Sequence, residues 1–157
     1  VLIHPQSFVH SMVSYRVGTC MANMSKPDMR LPIQYAITYP ERITSSCTPL
    51  SLYLEQPLTF HKPDLERFLS LKMAYEALET GLSCPLVYNG ANEAAVEAFC
   101  SGAIGFLDIE RVVDYTLNQH TPKALDTLEE IVNEDRLARE SAKKTIERVS
   151  QERRNRY

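Results

Sequence analysis

At Pro63 the hydrophobic period of this chain changes, and the change limits what each side can become. Prolines at 40, 49, 57 and 63, with Thr44-Ser45-Ser46-Cys47-Thr48 between them, rule out a long helix or central strand over 40–63. Each proline removes a backbone donor and restricts the residue before it. After Pro63, Leu65, Phe68, Leu69, Met73, Ala77 and Leu78 recur at helical spacing. The expected class is α+β: a β-hairpin portion at 1–40, a proline-rich connector at 41–63 and a small α-helical bundle at 64–157.

Within the first segment, Val9 to Val17 alternates. That pattern puts Val9, Ser11, Val13 and Tyr15 on one face and His10, Met12, Ser14 and Arg16 on the other. Gly18-Thr19 reads as a tight turn, with Cys20 to Met24 returning antiparallel. Residues 31–39 suit a short helix with Pro32 in its first turn, stopping before Pro40. Leu50–Leu54 and Leu58–Phe60 read as short edge strands. In the helical part the first helix ends at Gly81, and Ala91–Ser101 forms a second, entered at Asn89 or Gly90. A third carries Ile109, Val112, Val113 and Leu117 with Asp108 as its N-cap. Thr127 and Glu130 have capping-box spacing for a short turn. A last helix over 135–154 packs a thin stripe of Leu137, Ala142, Ile146 and Val149.

A hydrophobic fraction of 44% supports a packed core, and a net charge of −3 gives no field for nucleic acid. No apolar run approaches membrane-spanning length. Cys20, Cys47, Cys84 and Cys100 are scattered and lack zinc-site spacing, which fits a reducing cytoplasm. His4 and His10 would lie about 20 Å apart on a continuous strand, although Pro5 allows a closer approach. They read either as structural histidines or as site residues. Ser7 and Ser11 either bind phosphate or satisfy backbone groups, and the methionines either line a pocket or fill a core. There is no glycine-rich phosphate loop.

Four runs carry more than these patterns do: Val1-Leu2-Ile3-His4-Pro5-Gln6-Ser7 with His10-Ser11-Met12, then Pro27-Asp28-Met29-Arg30-Leu31-Pro32-Ile33, then Tyr39-Pro40-Glu41-Arg42. With Leu58-Thr59-Phe60, Leu71-Lys72 and Ala91-Asn92-Glu93, they resemble the 1-deoxy-D-xylulose 5-phosphate reductoisomerases along essentially the whole chain. The resemblance implies an enzyme with an N-terminal NADPH domain, a central catalytic domain, a connector and a C-terminal helical domain. It would isomerise 1-deoxy-D-xylulose 5-phosphate and reduce the product with NADPH to 2-C-methyl-D-erythritol 4-phosphate, in non-mevalonate isoprenoid synthesis. Mg²⁺ or Mn²⁺ would assist, and the enzyme would be a homodimer paired through its central sheet.

By the same resemblance, residues 1–40 close the central domain. His10 is the active-site histidine, Ser7 lies at the substrate and Met29 lies near the nicotinamide. The family's metal carboxylates, main phosphate cluster, lid and NADPH fold precede the Val1-Leu2-Ile3-His4 run. The chain alone is therefore expected to bind neither metal nor NADPH and to be inactive without the N-terminal domains. No nucleic acid or membrane partner is expected. The cytoplasm is the expected location, with a plastid import segment left open. Ser25-Lys26 and Ser45-Ser46-Cys47 depart from the family pattern. The alternative is a non-catalytic dimerisation and helical scaffold. A free-standing helical partner-binding protein would leave the His-Pro-Gln-Ser run unexplained.

Overall fold

A computed structural model of the chain describes residues 1–53 and 57–155. It is α+β, with two strands and five helices among the described residues. Two compact units divide it, Val1–Pro63 and Asp64–Tyr157.

In the first unit, β1 (Val9–Ser14) pairs antiparallel with β2 (Cys20–Met24). The turn closes with Tyr15 N–H on the Thr19 carbonyl at 2.9 Å, and Gly18 takes φ +86°, a conformation that suits glycine. β1 ends at Ser14, short of the expected Val17. Its alternation also breaks. Val9 faces Met24 and Ser11 faces Asn23, so His10 is the extra residue of a β-bulge. The expected common face of Val9, Ser11, Val13 and Tyr15 is therefore interrupted.

α1 (Arg30–Thr38) follows, one residue ahead of its expected start. The Asp28 carboxylate accepts from Arg30 N–H at 3.0 Å, which satisfies a donor that the first helical turn leaves unpaired. Leu58–Phe60 forms no strand; the ordered contact beside it is an isolated antiparallel bridge between Ile3 and His61. Leu50–Tyr53 forms no strand either, and Leu54 lies outside the described residues.

The second unit is helical: α2 (Leu69–Thr80), α3 (Cys84–Cys100), α4 (Phe106–Gln119) and α5 (Leu128–Arg154). α2 begins at Leu69, not Leu65. The Asp64 carboxylate caps the preceding turn, accepting from Glu66 and Arg67 N–H at 3.1 and 2.9 Å. Gly81 ends α2 at φ +69°. α3 starts at Cys84, with Pro85 in its first turn, and runs through Asn89-Gly90. Those residues look like a breaker in sequence, yet a Cβ on Gly90 would meet Asp135 Oδ1 at 3.1 Å and the Ala138 Cβ at 3.4 Å. Gly90 thus allows α5 to pass close, and helix packing overrides its poor helix propensity.

α4 starts two residues before Asp108. Asp108 is not its N-cap; from inside the first turn its carboxylate accepts Gly105 N–H at 2.9 Å. Thr127 and Glu130 do form a capping box, but it opens α5 itself rather than a separate short turn. The buried stripe of α5 is Glu134, Ala138, Ala142, Thr145 and Val149, while Leu137 is exposed. Small residues win this face because α3 lies against it with Gly90, Ala91, Ala94 and Ala95. Ile104, Val112 and Val113 complete the core.

Candidate functional site

The His-Pro-Gln-Ser run divides its labour. The His4 Nε2 accepts Phe8 N–H at 3.1 Å, so its Nδ1–H donates to the Thr59 carbonyl at 2.9 Å. Its ring stacks on Phe60 with centroids 4.6 Å apart. The Gln6 amide donates to the Pro57 carbonyl at 3.1 Å and to Thr59 Oγ1 at 2.9 Å, and accepts Thr59 N–H at 3.2 Å. His4 and Gln6 thus stitch the strand segment to residues 57–60. His4 has the structural role, and the two histidines do not form a pair.

Ser7 and His10 turn elsewhere. Both line a concavity of about 900 Å³ in the first unit, and Met29 lines it too. All three residues singled out from the sequence therefore converge. Ser7 and His10 are each delivered by a local irregularity. Ser7 takes φ +53°, which is uncommon for a residue with a Cβ and costs energy unless the surroundings enforce it. Its N–H bonds the His4 carbonyl at 3.1 Å, and His4 is itself anchored to Thr59. His10 sits at the bulge, a device that re-aims a side chain off the regular alternation. Met29 is the N-cap residue of α1 and is 71% exposed, offering a soft apolar surface at the rim.

Two further residues at this concavity were read in sequence only as turn or loop positions. Ser25 Oγ lies 2.9 Å from His10 Nε2. The 15-residue separation hides this pair, although the hairpin register, Val9 against Met24, implies it. Asp28 forms a two-pronged pair with Arg30, Nε to Oδ1 at 3.0 Å and Nη2 to Oδ2 at 2.6 Å. The Arg30 side chain, helped by its backbone N–H, holds the Asp28 carboxyl well below the usual carboxylate range. Asp28 is thus a fixed anion, and it brackets Met29 from one side as Arg30 does from the other. On the opposite wall, Gln34 Nε2 donates to the Ile43 and Thr44 carbonyls at 3.2 Å each. Arg42 lies 4.2 Å over the Tyr35 ring.

The wall is mixed in character: hydroxyl and imidazole groups on the strand side, methionine and tyrosine on the helix side. Such a surface can hold a small polar substrate against an apolar ring system. Residues 24–141, well over half of the chain, match the family described as the DXP reductoisomerase C-terminal domain.

The chain belongs to the DXP reductoisomerase family.

It is 50% identical over 150 residues to the 1-deoxy-D-xylulose 5-phosphate reductoisomerase of Cupriavidus pinatubonensis, covering 96% of this chain and 38% of that protein. The Geobacter metallireducens reductoisomerase is 49% identical, over 93% of this chain and 38% of that protein. Among solved structures, the Zymomonas mobilis reductoisomerase in complex with NADPH superposes with a TM-score of 0.86 at 40% identity. It covers 93% of this chain and 39% of that one. A reductoisomerase solved with NADPH, fosmidomycin and magnesium superposes with a TM-score of 0.82 at 38% identity, over 93% of this chain and 38% of that one. The chain thus spans under two-fifths of the relatives it matches.

Among the described residues, no three His, Cys, Asp or Glu side chains converge as a metal site requires. The chain also has no glycine-rich phosphate loop.

Proposed function

We propose that this chain supplies one wall of the substrate pocket of an NADPH-dependent enzyme that isomerises and reduces 1-deoxy-D-xylulose 5-phosphate to 2-C-methyl-D-erythritol 4-phosphate. The observation that carries the reading is the convergence of Ser7, His10 and Met29 on one concavity in a chain of this family. In this reading His10 exchanges a hydrogen bond or proton with a substrate oxygen during isomerisation. Ser7 donates to the phosphate end or to a bridging water. Met29 packs beside the nicotinamide and keeps water from the hydride path. Mg²⁺ or Mn²⁺ and most of the NADPH contacts come from the part of the family enzyme that this chain does not match. The 157 residues alone are accordingly assigned no turnover.

The exposed ribbon supports a self-associating protein. Met12, Val13, Val17 and Met21 are all 44% exposed or more, and a two-stranded ribbon with such faces gains by pairing. The reading is a homodimer in the cytoplasm, where four scattered thiols stay reduced. A single monomeric species over a wide concentration range would remove the dimer.

The deciding assay is NADPH oxidation with 1-deoxy-D-xylulose 5-phosphate and Mn²⁺, run on the 157-residue chain and on the protein at its natural length. Activity only at natural length is the expected outcome. Turnover by the 157 residues would overturn the assignment of metal and cofactor chemistry to another part of the enzyme.

A further inference from the structure

We propose that Ser25 is a positioning residue for His10. Its hydroxyl holds the imidazole in the Nε2–H form, so that Nδ1 is the ring nitrogen that meets the substrate. This rests on the reading of His10 as a group that acts on substrate.

The argument is a count of hydrogens. Ser25 Oγ lies 2.9 Å from His10 Nε2 and 2.9 Å from the Lys26 carbonyl oxygen. A serine hydroxyl carries one hydrogen, and a carbonyl oxygen can only accept. Both contacts are hydrogen bonds at once only when that hydrogen goes to Lys26 and the Ser25 oxygen accepts from His10. Nε2 must then bear the proton. A neutral imidazole holds a single N–H, so Nδ1 keeps its lone pair. Among the described residues the hydrogen bond of the His10 ring is made at Nε2, to Ser25.

The scaffold around the pair is fixed on both sides. Ser25 N–H donates to the Phe8 carbonyl at 3.0 Å, tying its backbone to the strand that carries His10. The bulge places His10 out of the regular alternation, and both residues line the concavity. With Nε2 tethered, a neutral ring offers Nδ1 to accept from a substrate hydroxyl. A protonated ring donates from Nδ1 without releasing Ser25.

Two readouts test this. In long-range ¹H–¹⁵N spectra of the 157-residue chain at alkaline pH, His10 should show a protonated Nε2 and a bare Nδ1. Ser25→Ala should draw the two shifts toward each other, and Ser25→Thr should restore them. Ring shifts indifferent to Ser25→Ala overturn the proposal.

In the enzyme at natural length, Ser25→Ala should lower kcat/KM about fivefold to tenfold, the size of one ordinary net hydrogen bond. Ser25→Thr should recover it, and the loss should vanish in a His10→Ala background. Losses that add in the double variant place Ser25 on the substrate directly and overturn the positioning role. A normal His10→Ala loss with a silent Ser25→Ala removes only that role. An unchanged rate in His10→Ala removes the functional reading of His10, and the positioning role with it.

Discussion

Val13 and Val113 both sit on regular elements of this chain, yet Val13 is 56% exposed and Val113 only 2%. The contrast extends to their units. Among the described residues of Val1–Pro63, Cys47 is the buried hydrophobic one, at 9% exposure. In Asp64–Tyr157, Ala91, Ala95, Val112 and Ala142 reach zero. The helical unit closes its own core. The strand unit spends its apolar residues on surfaces, and its order comes from polar stitches such as Gln6 to Thr59 and Gln34 to Ile43. A unit held by directional bonds presents irregular groups such as Ser7 and the bulged His10 at its concavity, whereas the helical unit keeps its own positive-φ residue, Leu82 at φ +52°, in the turn between α2 and α3.

The largest test of this contrast is His10→Ala at natural length. Turnover should fall by about a hundredfold or more, the scale of a lost acid–base or positioning group. The melting temperature should barely move, since His10 is exposed. A rate unchanged within error would make the strand unit as purely structural as the helical one.

Ile104→Ala should do the converse. Ile104 is 1% exposed in the helical core, and its truncation should cost about 3 kcal/mol of stability. With kcat/KM measured well below the melt, substrate kinetics should stay put. A kinetic loss without a stability loss would break the division between the units.

A smaller effect should come from His120→Ala. Ser83 Oγ lies 2.6 Å from His120 Nε2, and His120 Nδ1 lies 3.4 Å from Glu134 Oε1; Lys123 pairs with the other Glu134 oxygen. Ser83 and Glu134 are both buried, so removing the imidazole strands polar groups at a cost of about 1–3 kcal/mol. Chemical denaturation should show it. A neutral result would mean that Lys123 alone satisfies this corner of the helical unit.

The smallest effect is a pH dependence in the strand unit. The Asp28 carboxyl is depressed in the folded state by Arg30. Its contribution is therefore present above the ordinary carboxylate value of about 4 and is lost as pH falls below that value. The Arg30 amide, which donates to Asp28, should keep its exchange protection down to that range and lose it only in stronger acid. Loss of protection near neutral pH would remove Asp28 as the anchor of α1.

How far the sequence carries differs between the same two regions. The hairpin, the short helix before Pro40 and the stop at Gly81 were all readable, because turns and prolines are local chemistry. The His-Pro-Gln-Ser and Pro-Asp-Met-Arg runs pointed to the family, and their site-facing residues meet at one concavity. Alternation alone could not place His10, because a bulge is a property of two paired strands and not of one. Nor could periodicity start α3 at Cys84 or exclude Leu137 from the core of α5.

The sequence by itself determined the α+β division at Pro63, the family and the candidate residues. These rest on backbone restrictions and residue patterns that act over a few positions. Tertiary structure alone decided what holds His4 away from the cavity, which oxygen holds the His10 ring and why a glycine survives mid-helix. His4 is claimed by Thr59 and Phe60, His10 by Ser25, and Gly90 by the close passage of α5. Each outcome depends on a partner at least 15 positions away, and distances of that kind are set by packing rather than by local pattern.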